Sequence, residues 1–458
     1  MNLAQVKTAY FLGIGGIGMS AIARYFNHLG IKVMGYDKTP TALTNELIKE
    51  GIHIHFEDLG DIIIKDYQLS TDTCLVVLTP AIPKDHKEWA YLKDNGFTIL
   101  KRSQVLGIIS ETHKTIGVAG THGKTTTSTL LAHILKQSTV DCNAFLGGIS
   151  TNYHTNLLLS KTTLADNIMV VEADEFDRSF LTLHPTIGII TSTDADHLDI
   201  YGEHNELKKS FLAYSNRLVE GGVLIIKKEL DLIKELSVNY LTYSIHSEAD
   251  VYAKNININN GDYTFDLVFK GNTIANLQLG IPGLHNVENA VAASAACLLS
   301  GVTEEELRSA LLNFKGVKRR FEYIIKNTNQ IFIDDYAHHP EELRAIISSV
   351  KNMFPQNEIV VVFQPHLFTR TRDFVDGFAE SLSLADEAYL LDIYPARELP
   401  IPGVTSKIIF DKMTNKKHLV ERAELLDAIK NTQPKVFLTL GAGDIDLLVE
   451  PVKQILQK

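Results

Sequence analysis

Three cysteines, Cys74, Cys142 and Cys297, are all that 458 residues contain, and none stands in a CxxC pair. That scarcity points away from a zinc site or a disulfide framework and suits a reducing cytoplasm. Long apolar runs are missing too. No stretch of about 18 apolar residues occurs, so no membrane-spanning helix is expected. Near the N-terminus the apolar residues are broken by Gly13, Gly15, Gly16 and Gly18, unlike a signal peptide. Excess positive charge is also lacking: 44 Lys and Arg stand against 55 Asp and Glu, a net charge of −11. That argues against a nucleic-acid-binding surface. No internal repeat or low-complexity tract appears. The length prior suggests about three domains.

What is present begins with two glycine turns, each placed between a buried strand and a helix. The first, Gly13-Ile14-Gly15-Gly16-Ile17-Gly18, follows the expected strand Thr8–Leu12 and precedes a helix expected from Met19 to Leu29. Asp37, at the end of the next strand, completes a GxGxxG fingerprint with its acidic residue about 20 positions on. Alone, this pattern serves a dinucleotide such as NAD(P) or any other nucleoside diphosphate. Ligands of open α/β sheets gather at the carboxyl ends of strands. Thr79, after the strand Thr73–Leu78, and Arg102, after Phe97–Leu100, therefore join the candidates for that crevice.

The second turn, Gly120-Thr121-His122-Gly123-Lys124-Thr125-Thr126-Thr127, lies between a strand (Thr115–Ala119) and a helix (Ser128–Leu135). Val118 stands where the strict P-loop pattern wants glycine, so the loop is a shorter variant. Its chemistry is still that of a phosphate loop: backbone N–H groups and a helix N-terminus for the anion, Lys124 for the outer phosphates, Thr125 for Mg²⁺. ATP is the leading ligand. A strand Asn167–Val171 runs into Glu172-Ala173-Asp174-Glu175, and Glu172, first off the strand, is the favoured metal ligand. Another strand, Thr186–Thr191, runs into Asp194-Ala195-Asp196-His197, where His197 is a second candidate for metal or substrate. Asn259–Gly261 reads as a hairpin turn. His285, Asn286 and Asn289 form a polar leading edge to an alanine-rich helix, Ala290–Leu299, suited to reading an adenine ring.

Beyond Lys318-Arg319-Arg320-Phe321, buried strands alternate with helical stretches, the pattern of a parallel sheet. Four of the strands end in polar residues: Asp334 to His339, Gln364 to Arg370, a stretch near Arg397, and Gly441 to Asp444. Pro340 suits a helix start.

Taken jointly and in order, Gly13–Ser20, Gly120–Thr127, Glu172–Glu175, Asp196–Asp199, His285–Asn289, Arg319–Phe321, Asp335–Pro340, Phe363–Arg370 and Gly441–Asp444 make the chain resemble a Mur ligase over its whole length. The resemblance implies an α/β protein of three domains: a Rossmann-like UDP-sugar domain (1–107), a central P-loop ATPase-like domain (108–314) and a Rossmann-like closing domain (315–458). It implies ATP and Mg²⁺ as cofactors, and UDP-N-acetylmuramate and L-alanine as small-molecule substrates joined through an acyl phosphate. The alternative member is a recycling ligase that takes a tripeptide instead. A cytoplasmic monomer or homodimer, with no nucleic acid and no membrane, completes the expectation.

By position, the resemblance gives Gly15, Gly16, Ile17, Gly18, Asp37, Thr79 and Arg102 to the UDP-sugar. Gly120, Thr121, Gly123, Lys124, Thr125 and Thr126, with His285, Asn289, Arg320 and Asp335, fall to ATP; Thr125, Glu172 and His197 fall to the metal. Tyr336, His338, His366 and Arg370 surround the amino acid, whose carboxylate suits the fork of Arg370. Lys124, His338 and Arg370 are the catalytic candidates, His338 and the phosphate itself sharing the candidacy for base. Two departures stand out: Leu367 and Phe368 replace the Arg and Tyr of many members. The lysine that sister ligases carbamylate corresponds to Phe211, so no carbamate is expected.

Overall fold

The structure is a computed structural model that describes residues 3–161, 167–194, 204–259, 262–396 and 398–457. It divides into two compact units: residues 1–257, 263–280 and 284–315 form one, and 258–262, 281–283 and 316–458 the other.

The first unit opens with a five-stranded sheet in the order His53–His55, Lys32–Tyr36, Thr8–Leu12, Cys74–Leu78, Thr98–Lys101, every pair parallel. The central three strands are buried almost throughout, as parallel strands covered on both faces must be. Leu12 pairs with both Tyr36 and Leu78, so Gly13, Asp37 and Thr79 leave the sheet at one level. The chain order reverses between Thr8–Leu12 and Cys74–Leu78, which is where such sheets leave a crevice.

A ten-stranded sheet follows, and Lys114–Ala119 lies between Ile187–Ile190 and Ile168–Glu172 in its parallel part. Val118 pairs with Glu172 and Ala119 with Ile190. Three strands thus end beside Gly120. The helix Lys124–Gln137 packs on the helix Leu284–Leu299, whose Ala290, Ala292, Ala293, Ala295 and Ala296 are wholly buried. Methyl side chains allow that close approach. The far edge of the sheet includes the strands Val251–Asn259, Asp262–Phe269 and Asn272–Leu279. The expected turn at Asn259–Gly261 falls partly outside the described residues. A second, two-residue turn joins Phe269 to Asn272 through Lys270 and Gly271, both at positive φ (48° and 85°), as tight hairpins require.

The second unit is built on a six-stranded sheet: Glu322–Lys326, Ile331–Asp335, Val436–Leu440, Ile359–Phe363, Glu387–Leu390, Lys416–Leu419. All neighbours are parallel except the first strand, which pairs antiparallel with the second. The helix Pro340–Met353 starts on its proline and carries a capping box between His339 and Glu342. Among the described residues no helix is long and apolar enough to cross a membrane.

Candidate active site

The Gly13–Gly18 turn is shaped by its neighbours. Gly13 has φ 88°, and a Cβ there would lie 2.4 Å from Thr79 Cγ2. The Gly15 N–H donates to Asp37 Oδ2 at 2.7 Å. Arg102 lies against Gly18, where an added Cβ would stand 3.0 Å from the guanidinium, and its other side faces Asp174 at 3.6 Å. The structure therefore gathers Gly15, Gly18, Asp37, Thr79 and Arg102 at one sheet edge, with Gly16 and Ile17 in the turn between them.

The second turn is tighter. Gly120 has φ 134° and Gly123 φ 83°. A Cβ on Gly120 would meet Thr191 Oγ1 at 2.1 Å, and one on Gly123 would meet Asn289 Oδ1 at 2.7 Å. Thr121 Oγ1 and the His122 N–H both engage Ser192 Oγ, at 2.9 and 2.7 Å, tying the loop to the next strand end. Lys124 Nζ donates to the Gly120 carbonyl at 2.6 Å and to Glu175 at 2.9 Å. Burial works against its ammonium, but Glu175, Glu172 and Asp174 outweigh that and push its pKa up, so Lys124 is a fixed charge. Thr125 Oγ1 donates to Glu172 Oε1 at 3.1 Å, and the Gly147 N–H holds the other oxygen at 3.1 Å. A Cβ on Gly147 would overlap that carboxylate. Thr126 sits half-buried in the same helical turn.

Hydroxyl and carboxylate oxygens are the donors Mg²⁺ prefers, and this ion usually keeps waters and phosphate oxygens as further ligands. Thr125 and Glu172 fit that pattern. His197 lies outside the described residues, and among those described no three His, Cys, Asp or Glu side chains gather as a metal cage.

The helix expected to start after Asn289 begins instead at Leu284, so His285, Asn286 and Asn289 belong to its first turns. Asn289 is turned inward: Oδ1 accepts from Thr127 Oγ1 at 3.1 Å and Nδ2 donates to Asn286 Oδ1 at 3.3 Å. It braces the phosphate-loop helix. His285 is exposed.

In the second unit the ends of Ile331–Asp335, Val436–Leu440 and Ile359–Phe363 lie at one level, as the sequence suggests, while Arg397 lies outside the described residues. Asp335 accepts from the N–H groups of Phe321 and Ala337 at 2.6 and 2.8 Å, and burial pushes its pKa to about 6 against the pull of Arg320. Arg319 and Arg320 both lie over the Tyr336 ring, at 5.2 and 5.3 Å. His338 Nδ1 faces the Tyr336 carbonyl at 2.9 Å; a carbonyl only accepts, so Nδ1 carries the hydrogen. Burial, together with the nearby Arg370 and Arg320 charges, lowers the His338 pKa although Glu342 opposes them. Neutral His338 then presents its lone pair at Nε2. Arg370 Nη1 reaches His366 Nδ1 at 3.4 Å, and His366 stacks on Tyr394. Leu367 between them holds φ 71°, an unusual value for leucine, fixed by the bond from its N–H to the Tyr394 carbonyl at 3.0 Å.

Family models match this chain in three consecutive blocks: the Mur ligase family catalytic domain over residues 8–114, the Mur ligase middle domain over 118–297 and the Mur ligase glutamate ligase domain over 319–443. The chain belongs to the Mur ligase family. This Mur ligase is 50% identical to UDP-N-acetylmuramate–L-alanine ligase of Phocaeicola vulgatus over 100% of both chains. It resembles the crystal structure of UDP-N-acetylmuramate–alanine ligase from Thermotoga maritima, with 29% identity, a TM-score of 0.81, and 98% and 99% of the two chains covered. A murein peptide ligase from Psychrobacter arcticus shares the fold at 23% identity and a TM-score of 0.71, over 98% of each chain.

Some residues of this Mur ligase come forward only in the structure. Glu175 is the lysine's carboxylate partner, and Asp334, 1% exposed, is bridged to Arg319. Both stand in acidic runs visible in the sequence, which does not say which member of a run turns inward. Phe211 is buried edge-on against Phe180.

Proposed function

We propose that this Mur ligase joins L-alanine to the lactyl carboxylate of UDP-N-acetylmuramate at the expense of ATP, an early step in making peptidoglycan precursors. The supporting observation is the pairing of Thr125 with Glu172 beside a permanently charged Lys124, at a helix N-terminus that follows a glycine turn. ATP would bind with its phosphates over Gly120–Thr126, and Thr125 and Glu172 would hold Mg²⁺, with His197 the remaining candidate. When bound, the ion offsets the repulsion between carboxylate and triphosphate and polarises the transferring phosphoryl group.

The carboxylate oxygen attacks the γ-phosphorus, the bond to ADP breaks, and an acyl phosphate forms. A carboxylate is otherwise a poor acceptor for an amine. The amine of L-alanine then attacks the acyl carbon, a proton is lost from nitrogen, and phosphate leaves with one former carboxylate oxygen. Lys124 steadies the moving charge. Gly15 to Gly18, Asp37, Thr79 and Arg102 hold the UDP-sugar; His285 is the adenine candidate, Asn289 bracing the phosphate-loop helix instead, and Arg320 and Asp335 are the ATP candidates of the second unit. Tyr336, His338, His366 and Arg370 receive L-alanine, Arg370 pairing with its carboxylate and His338 Nε2 standing ready for the proton. We assign domains of 1–107, 108–314 and 315–458, a cytoplasmic location and small-molecule partners only.

Mass analysis of products from ATP, Mg²⁺ and UDP-N-acetylmuramate, with L-alanine and a murein tripeptide in competition, tests this reading. The alanyl amide is expected to dominate. Preferential use of the tripeptide would make the chain a recycling ligase instead.

A further inference from the structure

The two glycine turns of the first unit are joined by a buried asparagine. Asn156 is wholly buried, just before the strand Leu157–Leu158, and each of its side-chain contacts has one chemical sense. Arg24 Nη1 can only donate, so it meets Oδ1, at 2.6 Å. The Ile17 carbonyl can only accept, so it meets Nδ2, at 2.5 Å, and Ser20 Oγ takes the same amide at 2.9 Å. Ile17 and Ser20 are the first turn of the helix that leaves Gly13–Gly18. Arg24 is itself clamped by Glu50, with Nε and Nη2 bonds of 2.8 and 2.6 Å.

The backbone of the same residue points to the other site. The Asn156 carbonyl accepts from the Leu146 N–H at 2.9 Å. The next N–H, of Gly147, holds Glu172 Oε2, and Glu172 Oε1 holds Thr125. From the first helix turn to the phosphate loop the path alternates hydrogen bonds with short covalent links, through Asn156 itself, the peptide between Leu146 and Gly147, and the Glu172 carboxylate. A buried amide with all its groups satisfied is directional and hard to displace.

We propose that Asn156 is a positioning residue that fixes the distance between the two turns, so that a carboxylate carried by the ligand of the first is held in line with the γ-phosphate on the second. It touches neither ligand in this scheme. The proposal rests on the ligase reading above.

Asn156→Asp keeps the shape and the Arg24 contact but turns an oxygen towards the Ile17 carbonyl. For this variant kcat falls about 30- to 100-fold, the scale expected of a misplacement near 1 Å. Calorimetric affinities for UDP-N-acetylmuramate alone and for ATP alone stay within about threefold of the parent. A merely structural role would instead lower the melting temperature and the active fraction together, leaving kcat per active site unchanged. A folded variant with near-parental kcat, or one whose loss is matched by weaker binding of UDP-N-acetylmuramate alone, overturns the proposal. Ser20→Ala removes one bond of the three; it is read the same way, with a fall of about three- to fivefold expected, and it decides the matter if Asn156→Asp does not fold. A parent enzyme without L-alanine-dependent turnover would overturn the ligase reading instead, a distinguishable failure.

Discussion

The two glycine turns share one plan, a buried parallel strand, a turn at positive φ and a helix, and they part at the residue after the last glycine. Met19 follows Gly18, while Lys124 follows Gly123. The first turn offers backbone N–H groups and, at its side, Arg102 and Asp37. That equipment suits holding a stable diphosphate. The second adds a buried lysine and a hydroxyl paired with a carboxylate in the helix's first turn. That equipment suits moving a phosphoryl group. Glycine turns alone therefore say "anion", and the side chains around them say what becomes of it.

Removing the decisive side chain is the strongest way to break this contrast. Lys124→Ala is expected to lower kcat by about 10³-fold, the scale of losing one preformed partner of transition-state charge; phosphate release from ATP measures it. If activity were retained, the second turn would be no different in kind from the first. Glu172→Gln acts on the cation rather than the phosphate. The Mg²⁺ concentration for half-maximal rate is expected to rise about 10- to 100-fold, with saturating Mg²⁺ restoring part of the rate. In the first turn the effects are smaller and fall on binding. Asp37→Asn should raise the KM for UDP-N-acetylmuramate about tenfold, equivalent to about 1.4 kcal/mol, and leave the KM for ATP unchanged. A matching change in the ATP KM would erase the separation of the two sites.

The second unit supplies an effect on stability instead of rate. Burial pushes Asp334 to about 6 although Arg319 opposes it. A raised folded-state pKa means that the folded chain holds the proton more tightly than the unfolded one. The associated stability is present below about pH 4 and is lost as pH rises through about 6. Asp334→Asn mimics the protonated form, so its stability relative to the parent should improve by about 1.4 kcal/mol between pH 5 and pH 7.5. Urea denaturation at the two pH values measures it. No change with pH would place the ionised form of Asp334 in balance with Arg319.

Much of this was legible in one sequence because parallel strands buried on both faces read as continuous apolar runs. Thr8–Leu12 and Ile359–Phe363 stand within a residue of where their apolar runs place them. The carboxyl ends of such strands are where sites collect, so Asp37, Thr79, Glu172, Tyr336 and His366 could be placed at sheet edges from order alone. The antiparallel edge strand Glu322–Lys326 escaped notice because it is short and mostly half-buried, with no continuous apolar run. Helix starts were harder. His285 to Asn289 look like a polar approach to the alanine run, yet the helix is already under way at Leu284 and Asn289 faces inward. Least legible were the pairings across the chain. Asn156 lies 132 residues from Arg24, and Lys124 lies 51 from Glu175; no local pattern selects such partners.

The central claim is that the second turn moves a phosphoryl group onto a carboxylate held by the first. Phosphate release from ATP and Mg²⁺, followed with UDP-N-acetylmuramate present and L-alanine added or omitted, tests it most directly. Sustained release that requires both substrates, with ADP and an amide of the expected mass as products, is the predicted result. Release with neither substrate required, or no release with either L-alanine or tripeptide, would contradict the account.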